Sequence, residues 1–146
     1  MDIRPARPED TCQIAVLLRQ LGYERTLPEV DHHITASAAD PDVVVLVAVA
    51  PDGRLAGCLQ AQISRRLAEG QYGEIASLVV DDAQRSRGIG ARLVKAALNW
   101  LQASGIARLR VRCNTQRTRA HRFYERLNFH LTKTQKVFDM NIDTVL

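Results

Sequence analysis

The sequence has no long hydrophobic run. Its longest, Val43 to Ala50, falls well short of the about 20 apolar residues a membrane-spanning helix needs. No charged segment followed by an apolar stretch opens it, so a cytoplasmic protein that engages no membrane is expected. Cysteine is scarce: Cys12, Cys58 and Cys113 are odd in number and far apart, without CxxC spacing or neighbouring histidines arranged as ligands. That excludes a disulfide framework and points to reduced thiols and no metal site. Low-complexity tracts, internal repeats and linkers are also missing, and 146 residues fit one domain, 1–146. Charge of one sign is only slightly in excess, at +4, which suits an anionic partner without specifying one. Aromatics do not interleave with Arg108, Arg110 and Arg112, so these read as a solvated face rather than a nucleic-acid surface. His32-His33 reads as surface helix, and His121 as exposed.

What is present is ordinary globular composition, 46% hydrophobic and 25% charged, with one informative stretch, Ser77 to Val94. An apolar run ends at Asp81-Asp82, a basic loop carries Gly88 and Gly90, and an amphipathic segment starts at the second glycine. Strand, loop and helix in that order make an anion site. The first N–H groups of a helix lack intrahelical acceptors and lie at the positive end of its dipole. Gly88 and Gly90 let the main chain turn tightly and approach a ligand, and Arg85 and Arg87 add positive charge.

Taken in order, Ile3 to Pro5 is a short extended start, and Pro8-Glu9-Asp10 enters a helix that runs to about Leu21 with Ile14, Leu17, Leu18 and Leu21 on one face. Pro28 starts a second helix, to about Ala39. Val43 to Val49 is a buried strand, Pro51-Asp52-Gly53 a turn, and Leu55 to Ser64 the returning strand, with Gly57 as a bulge candidate. Residues 65–72 read as a loop. Tyr72 to Val80 is a central strand with Glu74, Ala76, Leu78 and Val80 on one face. Helices over Gly90 to about Ala103 and Thr118 to Leu127 flank a strand at Leu109 to Cys113, and Asn128 closes the last helix in a left-handed conformation. Phe129 to Met140 reads as further strand. The fold class is α/β: a mixed sheet of about six or seven strands with helices on both faces.

Arg85-Ser86-Arg87-Gly88-Ile89-Gly90, placed between strand and helix, resembles the Arg/Gln-x-x-Gly-x-Gly/Ala pyrophosphate loop of the GNAT superfamily of N-acetyltransferases. An independent likeness lies downstream, where Asn114, Ala120 and Phe123-Tyr124-Glu125-Arg126-Leu127-Asn128-Phe129 resemble that family's strand-ending Asn and its Ala-x-x-Leu-Tyr-Glu-Lys-Leu-Gly-Phe helix. Together they cover nearly the whole chain. Arg117 stands where the family commonly has Asn, and Asn128 where it has Gly.

The resemblance implies acetyl-CoA as cosubstrate, bound where two parallel strands splay apart. Leu78, Val79 and Val80 would lie along the pantetheine arm, with Leu78 and Val80 pairing to it. Main-chain N–H groups of Arg85, Ser86, Arg87, Gly88, Ile89, Gly90 and Ala91 would hold the pyrophosphate, with Asn114 and Tyr124 completing the cofactor contacts. It further implies Glu74 as the base that deprotonates the attacking amine, a main-chain N–H at about Val79 for the oxyanion, and Tyr124 as the acid for the departing thiolate. The reference pKa values that govern this last transfer are about 10 for the phenol and 8.5 for the thiol. The acceptor is expected to be a primary amine of a small molecule, with Tyr23 to Leu27 and Arg65 to Tyr72 walling its site. A protein N-terminus or lysine, or a non-catalytic acetyl-CoA-binding module, stays open. A homodimer is implied, with Val137 to Met140 on its last strand. A dinucleotide site fails because Leu93 stands where GxGxxG needs its third glycine.

Overall fold

The computed structural model describes residues 1–143, and backbone packing divides the chain into two compact units, Met1–Arg112 and the residues from Cys113 onward. The first unit holds β1 (Asp2–Pro5), α1 (Thr11–Leu21), α2 (Leu27–Ala38), β2 (Val43–Val49), β3 (Leu55–Arg66), β4 (Gly70–Val80), α3 (Ile89–Ala103) and β5 (Leu109–Val111). Its five strands lie in sequence order. The first three pairings are antiparallel and the last, β4 with β5, is parallel. A parallel pair needs a crossover, and α3 supplies it.

Each face of this sheet takes helices whose apolar residues recur at helical spacing. On one face Ile14, Ala15 and Leu17 of α1 and Val30 and Ile34 of α2 pack with Val47, Cys58 and Val79. On the other, Leu93, Val94, Ala97 and Leu101 of α3 are each at most 2% exposed. Fully burying a leucine is worth roughly 1.5–3 kcal/mol, so this row anchors the crossover. The termini of the helices have local causes. Thr26 and Glu29 close a reciprocal cap on α2, the Thr26 Oγ1 accepting from the Glu29 N–H at 3.2 Å and the Glu29 carboxylate from the Thr26 N–H at 3.1 Å. Asp10, the residue before α1, is buried and held bidentately by Arg4 of β1 at 2.8 and 3.0 Å. The second unit contains α4 (Thr118–Arg126), followed by Asn128 at φ 70° as expected for a left-handed helix end.

Three expectations change. Residues 65–72 are not all loop: β3 runs on to Arg66 and β4 starts at Gly70, leaving a tight connection. The strand from Leu109 ends at Val111 rather than Cys113. Phe129 to Met140 forms no strand among the described residues, because a strand exists only through a ladder partner and none pairs with it. Its Val137, Phe138 and Met140 are exposed, so the strand assigned to a dimer contact is absent here.

Gly73 positions the site strand. A Cβ there would lie 2.6 Å from both methyl carbons of Leu101, so β4 approaches α3 as closely as it does only because the side chain is missing. Gly73→Ala is expected to destabilise the protein by about 1–3 kcal/mol. In a Leu101→Ala background the same change should cost less. Chemical denaturation of the four variants measures this, and additive costs would show that the two positions do not clash.

Candidate active site

The parallel pairing of β4 with β5 covers only Gly73↔Leu109, Glu74↔Arg110 and Ile75↔Val111. From Ala76 to Val80, β4 continues with no ladder partner on its β5 side among the described residues. Opposite it, Gln60 of β3 pairs with Ser77 and Ala61 with Ile75, which leaves Ala76 as an extra residue, a β-bulge. The bulge reverses the facing of everything before it. Glu74 therefore shares a face with Ser77 and Val79, not with Leu78 and Val80 as simple alternation along the sequence suggests.

Main-chain directions follow from the bonds to β3. The Asp81 N–H donates to the Ala56 carbonyl at 2.8 Å, and the Val79 carbonyl lies against Gly57, so Asp81 and Val79 turn their polar groups toward β3. By the alternation of a strand, Leu78 and Val80 present theirs to the open edge. The arrangement suits a ligand that pairs like a strand. By the same alternation the Val79 N–H, expected to face an oxyanion, turns toward β3 instead.

After Val80 the chain makes a short turn at Asp82–Gln84 and reaches α3 through Ser86 at φ 67° and Gly88 at φ 76°. Two left-handed residues so close together fold the backbone back and aim successive N–H groups inward. The first helical bond of α3 runs from the Arg92 N–H to the Gly88 carbonyl at 3.1 Å, so the N–H groups of Ile89, Gly90 and Ala91 have no helical acceptor. Arg85 pairs with Asp82 at 2.8 Å, and Arg87 has no ion-pair partner among the described residues. One support escaped the sequence reading: Gln20 of α1 donates to the Asp81 carboxylate at 3.2 Å and accepts from the Asp82 N–H at 2.9 Å, which pins the entrance of the loop. No local pattern ties a helix-1 glutamine to a loop 61 residues away.

Glu74 has only 12% of its side chain exposed and forms an ion pair with Arg112 just past β5. Two residues earlier on the same face, Tyr72 is fully buried. Arg66, Arg108 and Arg110 lie over its ring at 5.6, 5.0 and 4.5 Å. Burial alone would raise the Tyr72 pKa, yet the adjacent Arg112 and the charges of Arg66 and Arg110 outweigh it and hold the phenol below its ordinary value. Glu69 pairs with Arg110 at 2.6 Å. The arginines in and beside β5, expected as a solvated face, are thus partly gathered over a buried tyrosine; the pattern Arg-x-Arg-x-Arg was legible, its target across the sheet was not.

In the second unit the Asn114 side-chain oxygen accepts from the Gln116 N–H at 2.9 Å, and its carbonyl accepts from the Arg117 N–H at 3.0 Å and from His121 Nε2 at 2.7 Å. His121 is therefore half-buried and bonded rather than exposed. Tyr124 stacks edge-on between Phe123 and Phe129, with ring centres 5.1 and 5.4 Å apart. Burial, reinforced by Cys113 and opposed by Arg117, pushes its pKa up to about 12. Complete proton transfer from a phenol to a thiolate is already uphill at the ordinary values, and a gap of about 3.5 between the two pKa values makes it roughly 5 kcal/mol uphill. Tyr124 is suited to donate a hydrogen bond to a developing thiolate more than to surrender its proton early.

Known proteins match this architecture. Residues 11–129 match the acetyltransferase (GNAT) family. Over 111 residues the chain is 32% identical to an aminoglycoside N(6')-acetyltransferase type 1 of Klebsiella aerogenes, covering 70% of this chain and 72% of that protein. Among solved structures, an aminoglycoside 6'-N-acetyltransferase of Acinetobacter baumannii superposes with a TM-score of 0.84 at 17% identity, over 97% of this chain and 98% of that one. Glucosamine-6-phosphate N-acetyltransferase of Arabidopsis thaliana gives 0.83 at 21% identity, over 96% and 98%. The structural likenesses establish the fold, and the family match over most of the chain establishes descent: this chain belongs to the acetyltransferase (GNAT) family and is an acyltransferase.

Proposed function

We propose that residues 1–146 act as one N-acetyltransferase domain that moves the acetyl group of acetyl-CoA to the primary amine of a small molecule by direct attack. The observation that carries this reading is the open edge of β4 running directly into the unpaired N–H groups at the start of α3. An amide-rich arm suits the first, a pyrophosphate the second, and both lie on one continuous stretch of chain. The Klebsiella aerogenes relative supports a small-molecule acceptor. A cytoplasmic homodimer belongs to the same reading, with exposed Phe138 and Met140 as candidates for the contact.

In this mechanism bound acetyl-CoA supplies a thioester whose carbonyl the amine attacks. Leu78 and Val80 hold the arm through their main chain, and Ile89, Gly90 and Ala91 with Arg87 hold the phosphates. An alkylamine with pKa near 10.4 is mostly protonated at neutral pH, so attack needs a base. Glu74, shielded and oriented by Arg112, accepts that proton directly or through water. An open-edge N–H, from Leu78 or Val80, faces the oxyanion, and Tyr124 donates to the leaving sulfur. Asn114, its side chain engaged in its own turn, shapes the segment more than it reaches a ligand.

Gly88→Val is expected to raise the acetyl-CoA Kd by at least tenfold, because a β-branched residue at φ 76° costs of order 1–3 kcal/mol and distorts the loop. Calorimetric titration with CoA measures it, and an unchanged Kd would remove the loop from the site. For Glu74→Gln, coupled detection of CoA release should show kcat down by roughly 10²–10⁴ with the CoA Kd retained. A drop under threefold would sink the base assignment. Tyr124→Phe should lower kcat by about 10²-fold, the scale of losing one transition-state donor, while acetyl-CoA binding changes little. Full activity in that variant would exclude Tyr124 from leaving-group departure.

A further inference from the structure

The face of the sheet that carries Glu74 has an unbalanced charge. Four guanidinium groups, Arg66, Arg108, Arg110 and Arg112, gather around the buried ring or hydroxyl of Tyr72, against two carboxylates, Glu69 and Glu74. The pairing uses up both anions. Glu69 is taken by Arg110 at 2.6 Å with Arg108 at 3.9 Å, and Glu74 by Arg112. Arg66 has no carboxylate among the described residues; its one contact of note is the Tyr72 ring. Two positive charges are thus left over, on side chains that repel one another.

Two further observations describe this face. The Tyr72 hydroxyl and Arg110 Nη1 are both shielded from solvent and find their partners inside the cluster, Arg110 and Arg112 at the hydroxyl and Glu69 at Arg110, so the buried groups are used up and the exposed ones are left for a ligand. The phenol is held below its ordinary pKa although burial acts the other way, which reports a positive potential at that point. Meanwhile Arg66 and Arg108 are exposed at the Tyr72 end, so their donors are within reach of a ligand. Tyr72 and Glu74 are alternate residues of one strand, and alternate residues are separated by roughly 7 Å on the same face.

Resting on the acetyltransferase reading with Glu74 as base, we propose that this face selects the acceptor. The substrate is a primary amine that also bears a carboxylate or phosphate roughly 7 Å from its nitrogen, with the amine at Glu74 and the anion on Arg66 and Arg108. A polycation such as an aminoglycoside meets repulsion there, so the acceptor departs from the one in the name of the Klebsiella aerogenes relative. Guanidinium pairs suit planar carboxylates and phosphates equally, and the arms of the test separate them.

The test uses matched acceptors on the whole chain: 6-aminohexanoate against its neutral amide, 3-aminopropyl phosphate against 3-aminopropanol, and kanamycin as the polycation. In wild type the anionic member of at least one pair should be preferred at least tenfold in kcat/KM, and over kanamycin by more. Arg66→Gln with Arg108→Gln should cut that preference to threefold or less. Arg66→Glu with Arg108→Glu should turn it toward kanamycin, a gain that misfolding cannot produce. Equal use of neutral and anionic amines, or a preference for kanamycin in wild type, overturns the proposal. Should no amine release CoA, the acetyltransferase reading is what has failed. Calorimetric titration of the two anionic amines into CoA-saturated wild type and the double Gln variant then decides the anion site: binding lost in the variant sustains it, and no binding, or binding unchanged in the variant, overturns it.

Discussion

Everything in the candidate site depends on β4 and β5 pairing in parallel for three residues and then parting. A parallel ladder that continued to Val80 would use the main-chain groups of Leu78 and Val80 internally and leave nothing for a ligand to pair with. The bulge at Ala76 accompanies this separation, and bulges increase local twist, which turns the following segment away from its neighbour. The same bulge sets which side chains face the acceptor. Without it Glu74 would share a face with Leu78, under α3, rather than with Val79 and Tyr72.

The loop that follows is held from outside as much as from within. Ser86 and Gly88 supply the left-handed turns, while Gln20 clamps Asp81 and Asp82 from α1. A non-glycine residue at φ 67° carries a conformational cost, and it persists where neighbouring contacts over-determine the backbone. Here those contacts are α1 on one side and the firmly buried Ile89 and Leu93 of α3 on the other. The backbone turn proposed to hold the phosphates is therefore fixed by the protein's own contacts, and such preorganisation lowers the ordering cost of binding.

Electrostatics divides the first unit into two anion-seeking places with different chemistry. At the start of α3 the attraction comes mainly from backbone N–H groups, suited to a pyrophosphate whose identity is constant. Around Tyr72 it comes from guanidinium side chains stacked on an aromatic ring, the face proposed to meet the acceptor. Placing Glu74 beside Arg112 orients the proposed base and ties it to the cluster that would read the acceptor's charge.

Local patterns along the chain encode the elements and the loop. Periodicity located α1, β2 and α3 nearly to the residue, since each buries a regular apolar row on the sheet. Two glycines in a basic loop between strand and helix announced the candidate anion site, because that chemistry is local to consecutive residues. Asn128 was legible as a helix end for the same reason. The rest follows from contacts between segments distant along the chain. Whether Phe129 to Met140 becomes a strand depends on a partner, which no segment encodes alone. The bulge at Ala76 is a mismatch in register between two strands, invisible in either one, and it reassigned the facing of Glu74. The meeting of Arg66, Arg108, Arg110 and Arg112 over Tyr72 joins residues from three strands through sheet pairing. Short-range patterns report backbone preference and burial; cross-strand register sets which charges meet, and the proposed acceptor selectivity rests on that register.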